Sequence, residues 1–125
     1  MAQLEHINIT VSDNRATAQM LEELFGWHIR WQGEAKAGGH SIHIGSDDQY
    51  LAIYTPPKTI EAHHATYLQK GGLNHVGVTV DDLDAVEKKV KAHGLSPNNH
   101  ADYAPGRRFY FDDPDGIEWE VVSYS

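Results

Sequence analysis

Two stretches of the chain alternate apolar and polar residues and read almost alike. Leu4–Val11 is LEHINITV, and Leu73–Val80 is LNHVGVTV. Leu, His, Thr and Val coincide, and Ile7/Val76 and Ile9/Val78 are apolar in both. A period of two with β-branched residues predicts a strand in each place. Each strand leads into a helical pattern with an Asp at its start. The first helix is predicted from about Asn14 to Phe25, with Met20, Leu21, Leu24 and Phe25 as its apolar stripe and Gly26 beyond it. The second is predicted from about Leu83 to His93, with Leu83, Val86 and Val90 on one face and Gly94 as its stop. Asp13 and either Asp81 or Asp82 are the expected N-caps.

Three further strand patterns follow each helix. They are His28–Gln32, Ser41–Gly45 and Tyr50–Thr55 in the first half, and about Asn98–Tyr103, Arg107–Asp112 and Ile117–Ser123 in the second. Turn residues separate them, AGG at 37–39 and DPDG at 113–116. The chain therefore reads as an α+β fold, βαβββ twice: one domain over 1–125, a first module to about 56, a linker over about 57–72, and a second module over about 73–125.

Alternation also sorts the faces. Ile7, Ile9 and Val11 oppose His6, Asn8 and Thr10, and Val76, Val78 and Val80 oppose His75, Gly77 and Thr79. Phe109 and Phe111 oppose Arg108 and Tyr110, while Ile117, Trp119 and Val121 oppose Glu118, Glu120 and Val122. The apolar set gives the helices a surface to cover. The other set places two imidazoles at equivalent repeat positions, as a concave, ligand-holding sheet would.

Composition narrows the classes. At 125 residues, with 40% apolar and 22% charged, the chain is an ordinary globular domain long enough to bury a core. A net charge of −8 argues against nucleic acid or an anionic membrane as partner. No apolar run reaches the ~20 residues of a membrane span, and MAQLEHINITV lacks the regions of a signal peptide, so a cytoplasmic address is expected. The absence of cysteine removes thiolate metal sites and cysteine nucleophiles. Nine histidines direct the search to metal.

LEHINITV, GLNHVGVTVDDLDAVEKKVKAHG and FYFDDPDGIEWEVV together resemble the vicinal oxygen chelate superfamily, which includes glyoxalase I, extradiol dioxygenases, fosfomycin resistance enzymes and bleomycin-binding proteins. The resemblance covers essentially the whole chain. It implies a curved mixed sheet around a cavity with helices on the outer face, and a divalent metal held by His6, His75 and Glu120. Where glyoxalase-like members carry a fourth ligand this chain has Ala52, which cannot coordinate. Tyr50 and Tyr54 share its face but are poor neutral ligands, and His43 on the neighbouring strand is a further candidate. Two His and one Glu with open positions suit Fe(II) or Mn(II) and admit Ni or Zn.

The extradiol enzymes also carry a His ahead of an aromatic–Tyr pair, then Asp-Pro-x-Gly and the ligand Glu. Phe109–Tyr110 and Asp113–Gly116 fit that order, with His100 one residue too far upstream. Tyr110 and His100 are thus the implied catalytic residues. Glu118 is expected to be a solvated rim carboxylate. His28, His40 and His93 are expected at the surface, and His63–His64 in a solvated linker. Trp27, Trp31 and Trp119 are expected in packing, with Trp31 also a candidate for the cavity mouth.

The expected function is metal-dependent chemistry on a small molecule with vicinal oxygens, best matched by an extradiol dioxygenase. A glyoxalase-like lyase or isomerase and a non-catalytic drug-binding protein are the alternatives. The resemblance also implies a homodimer.

Overall fold

The computed structural model describes residues 1–61 and 65–125, so His63 and His64 lie outside the described residues. The chain divides into two compact units, Met1–Glu61 and Ala62–Ser125. Each unit holds a four-stranded mixed sheet with one α-helix. No helix among the described residues is long and apolar enough to cross a membrane.

In the first unit β1 (His6–Thr10), α1 (Asn14–Phe25), β2 (His28–Glu34), β3 (His40–Gly45) and β4 (Tyr50–Thr55) form a sheet of order β1-β4-β3-β2. β1 runs parallel to β4, and the other pairs are antiparallel. The helix starts where expected because Asp13 accepts hydrogen bonds from the Arg15 and Ala16 amides. It ends at Gly26, whose φ of +68° closes the last turn in the left-handed region. Leu21, Leu24, Ile42, Ile44 and Ile53 fill the core, as the period-two and helical stripes predict. Asn14, itself buried, ties the helix start to the sheet by donating to the carbonyls of His40 and Ile53.

The second unit repeats the order with β5 (Val76–Thr79), α2 (Leu83–Ala92), β6 (Asn98–Tyr103), β7 (Gly106–Asp112) and β8 (Glu118–Ser123), arranged β5-β8-β7-β6. Asp82, not Asp81, caps α2 by accepting from the Ala85 amide. Phe109, Phe111, Trp119, Val121 and Val90 are fully buried. Burying each large side chain contributes about 1.5–3 kcal/mol. Of the three tryptophans, Trp119 lies in this core and Trp27 packs on Phe25, but Trp31 is half exposed.

The second strand of each unit carries a one-residue bulge that alternation alone does not anticipate. In β2 Ile29 faces Ile44 while Trp31 faces His43, so Arg30 is the extra residue. In β6 Asn98 faces Tyr110 and Ala101 faces Arg108, so Asn99 and His100 together oppose Phe109. Asn99 takes a φ of +51°, which Asn tolerates better than most residues, and the strand turns its side chains over at that point.

Candidate functional site

The DPDG turn sets the candidate site in the second unit. Asp113 is buried, and its Oδ1 accepts from the Asp115 and Ile117 amides while Oδ2 accepts from the Trp119 indole. Gly116 supplies the positive φ, +80°, that lets the chain reverse. With Trp119 held inward, alternation places Glu118 and Glu120 on the opposite face. Tyr110 lies directly across the ladder from Glu120, and Gly77 does so on the other side, which brings His75 of the preceding residues close.

There His75 Nε2 stands 3.2 Å from Glu120 Oε1. Tyr110 meets the imidazole edge-on with ring centres 5.9 Å apart. Burial pushes the Tyr110 hydroxyl above its ordinary range, and the charge of Glu120 adds to that. The other Glu120 oxygen, Oε2, accepts from Arg108 Nη1 at 2.9 Å, and both side chains of this pair are largely buried.

Glu118 is not the solvated rim carboxylate expected of it. It accepts from the Tyr67 hydroxyl at 2.5 Å and lies 3.6 Å from His75 Nδ1. Tyr67 Oη is also 3.3 Å from His75 Nδ1. The bond to Glu118 chiefly raises the Tyr67 pKa, to about 12. Tyr67 and Arg108 are the two participants that sequence reasoning missed. Arg108 carried a signal, since it shares the Tyr110 face; Tyr67 sits in the linker, where no periodicity assigns a face.

In the first unit His6 donates through Nδ1 to Glu5 Oε1, 2.8 Å away. Tyr50 stacks on His6 at 4.9 Å between ring centres and donates to the same Glu5 oxygen at 3.3 Å. The bond from His6 is the main influence lowering the Glu5 carboxyl pKa. His43 lies directly across the ladder from Ala52 and stacks on Tyr50 at 4.7 Å between ring centres. Burial depresses the His43 pKa. Trp31 continues the row at 4.9 Å from His43, and Arg30 lies over the Tyr50 ring.

The structure brings His75, Glu120 and Tyr110 together and takes His100 elsewhere. The β6 bulge turns His100 to the helix side, where it stacks on buried Phe109 and pairs with Glu87 of α2 at 3.0 Å. It lines a cleft of about 200 Å³ with Leu83, Glu87 and Arg107. The one-residue displacement seen in the sequence is therefore a change of face. Among the expected surface histidines, His28 lies 3.4 Å from Asp47, while His40 is tied to Asn14. Among the described residues no group of three or more His, Cys, Asp or Glu side chains is gathered to hold a metal ion.

Residues 3–121 match the model of the Glyoxalase/Bleomycin resistance protein/Dioxygenase superfamily. The chain belongs to that superfamily. Among curated relatives, it is similar to a probable trivalent organoarsenical cleaving enzyme of Bacillus subtilis (strain 168), 25% identical over 92% of this chain and 75% of the relative. Superfamily members of known structure share its fold. A glyoxylase/bleomycin resistance protein/dioxygenase domain from a Frankia species superposes with a TM-score of 0.82 at 18% identity, over 100% of this chain and 99% of the other. The fosfomycin resistance protein FosX of Listeria monocytogenes, in a complex with Mn(II) and sulfate, gives 0.77 at 19% identity over 100% and 94%. An antibiotic-binding protein from a Streptomyces species gives 0.75 at 19% over 100% and 98%.

Proposed function

We propose that the protein is a divalent-metal-dependent enzyme acting on a small molecule with two adjacent oxygens. His6, His75 and Glu120 are its metal ligands, and Fe(II) or Mn(II) is the favoured ion. The observation that carries this reading is the 3.2 Å approach of His75 Nε2 to Glu120 Oε1. An imidazole nitrogen and a carboxylate oxygen, both metal-ligand types, thus face each other on neighbouring strands. Neighbouring ligands of one ion, each bonded at roughly 2.0–2.2 Å, are separated by about this distance. The donor set, imidazole and carboxylate without thiolate, suits the same ions.

A bound ion would act as a Lewis acid on the substrate's vicinal oxygens. The chain's own groups then have definite tasks. Tyr110, kept protonated by burial and by Glu120, donates a hydrogen bond to negative charge on the substrate. Arg108 engages Oε2 and leaves Oε1 as the ligand oxygen. His100 has no part, since it is engaged with Glu87. Extradiol-dioxygenase-like chemistry on a catecholate is the reaction we assign. A glyoxalase-like proton transfer needs a base where Ala52 stands. Trivalent arsenic prefers soft thiolate donors, and this chain has no cysteine, so an oxygen-donor substrate fits better than an organoarsenical.

One observation favours a second reading, a sequestering protein without metal. The Arg108 guanidinium already offsets the Glu120 charge. Elemental analysis followed by anaerobic reconstitution with Fe(II) or Mn(II) separates the two. The enzyme reading expects one ion per site, oxygen uptake with catechol, and loss of most metal affinity in His6→Ala, His75→Ala and Glu120→Gln. A protein that takes up neither ion, or whose three variants bind like the parent, overturns it in favour of sequestration.

A further inference from the structure

Arg108 has a donor that the protein itself does not use. Its side chain is largely buried, and Nη1 gives a hydrogen to Glu120 Oε2 at 2.9 Å. Among the described residues, the Arg108 Nε is the one buried side-chain nitrogen or oxygen without a hydrogen-bond partner. Buried polar groups are nearly always paired, and an unpaired donor on a charged group costs more than a neutral one. A guanidinium can grip two oxygens side-on, through Nε–H and the neighbouring Nη2–H. Glu120 holds Nη1, the nitrogen outside that edge. From this arrangement we infer that Arg108 is a specificity-determining residue whose Nε–Nη2 edge binds a carboxylate on the substrate. The substrate is then a small organic acid as well as a compound with vicinal oxygens.

The edge belongs to the same side of the sheet as the candidate site. Arg108 and Tyr110 alternate on β7 with buried Phe109 and Phe111, and Tyr110 pairs with Glu120, so all three polar residues share a face. Residues two apart on one strand are separated by roughly 6.7 Å. That matches the distance between substituents at opposite ends of a six-membered ring, with an oxygen beside the Tyr110 hydroxyl and a carboxylate at Arg108. The Tyr103 ring lies over the guanidinium, 5.3 Å from Cζ, and is mostly exposed, so it can swing aside to admit the acid. Charge limits the acid to a monoanion. The guanidinium already faces the Glu120 carboxylate, and a phosphonate dianion would set three negative charges around a single positive one.

The vicinal oxygens in this inference rest on the proposed function, but the carboxylate does not, and the test keeps the two apart. Chelator-treated, ¹⁵N-labelled protein is titrated without oxygen with protocatechuate, with its neutral amide, and with the corresponding phosphonate as its dianion. The ¹H–¹⁵N spectra include the arginine Nε–H signals and report both affinity and place. We expect the acid to bind ~10–100-fold more tightly than the amide, as hydrogen bonds to a charged group imply, and to move the Arg108 Nε–H signal. Arg108→Lys keeps the cation without the side-on edge, so the preference should fall to a few-fold, and Arg108→Met should abolish it. An amide that binds as well as the acid, a phosphonate that binds more tightly, an unmoved Nε–H signal, or a preference that either variant retains in full would overturn the inference. A parallel Mn(II) titration separates the readings. Preference for the acid in a protein that takes up no Mn(II) supports the inference and counts against the metal reading alone, whereas Mn(II) uptake without that preference does the reverse.

Discussion

Asp113 is the residue through which the turn before β8 and the candidate site are joined, and its removal should be felt in both. Its carboxylate receives two backbone amides at 2.9 and 3.0 Å and the Trp119 indole at 3.1 Å, the last in the core. Hydrogen bonds to a charged group contribute about 1.5–3 kcal/mol each. Against that sum stands the cost of burying the charge, which is the largest influence on this carboxyl and raises its pKa above 3.8. The net cost of Asp113→Ala should be about 3 kcal/mol, since the variant removes the acceptor of two backbone amides and of the Trp119 indole together. For a chain of this size that is a fall in Tm of roughly 10 °C. Asp113→Asn should cost about half as much, since its amide oxygen can still serve the backbone while its NH₂ opposes the indole N–H.

Urea unfolding followed by Trp119 emission, with Trp27 and Trp31 replaced by Phe in every protein, would measure both changes. The pH dependence has a definite sign. A carboxyl with a raised folded pKa binds its proton earlier in the folded state, so its contribution to stability falls as pH rises through that value. The gap between parent and Asp113→Ala should therefore be wider at a pH near 3.8 than at neutrality. An alanine variant within about 0.5 kcal/mol of the parent would refute the reasoning, as that is the scale of an ordinary surface change. So would an asparagine variant less stable than the alanine one.

Three other outcomes follow from particular contacts. Arg108→Met removes a cation from Glu120, so Mn(II) titration should show roughly 5-fold tighter binding, about 1 kcal/mol of relieved repulsion; unchanged or weaker binding would count against Glu120 as a ligand. Deleting Asn99 removes the extra residue of β6 and leaves His100 directly opposite Phe109, so ring-to-ring nuclear Overhauser contacts between the two should persist; contacts moved to Tyr110 would refute the register given for this strand pair. Light scattering at micromolar concentration should give twice the chain mass, and a monomer would overturn the expected homodimer.

Most of the fold was legible because it rests on short-range rules. The βαβββ repeat came from two strands that read alike, α1 came within its true bounds from its apolar stripe, and Asp13 announced its own cap. The neighbourhood of His75, Glu120 and Tyr110 was legible for the same reason, since alternation put them on one side of adjacent strands. What escaped was whatever breaks a period. The β6 bulge depends on one Asn taking a left-handed conformation, and nothing in NNHADY marks which residue is the extra one. Tyr67 escaped because it reaches Glu118 across a distance in sequence that no local pattern spans. Glu118 was misjudged with it, since its partner was invisible.

The strand order of each unit also constrains how the chain is made. β1 pairs with β4 and β5 with β8, so among the described residues the first strand of each unit finds its sheet neighbour in the last. On a ribosome, His6 would wait without a ladder partner until Tyr50 emerges, whereas β3 and β4 could pair as soon as both are free of the tunnel. The first sheet could close while the second is still being translated. A transcript interrupted before Trp119 would release a chain whose β5 has lost its mate and shows a bare edge to other proteins. The codons of β8 thus decide whether the second sheet is sealed or left sticky, and quality-control proteases should discriminate sharply between chains that end on either side of this strand.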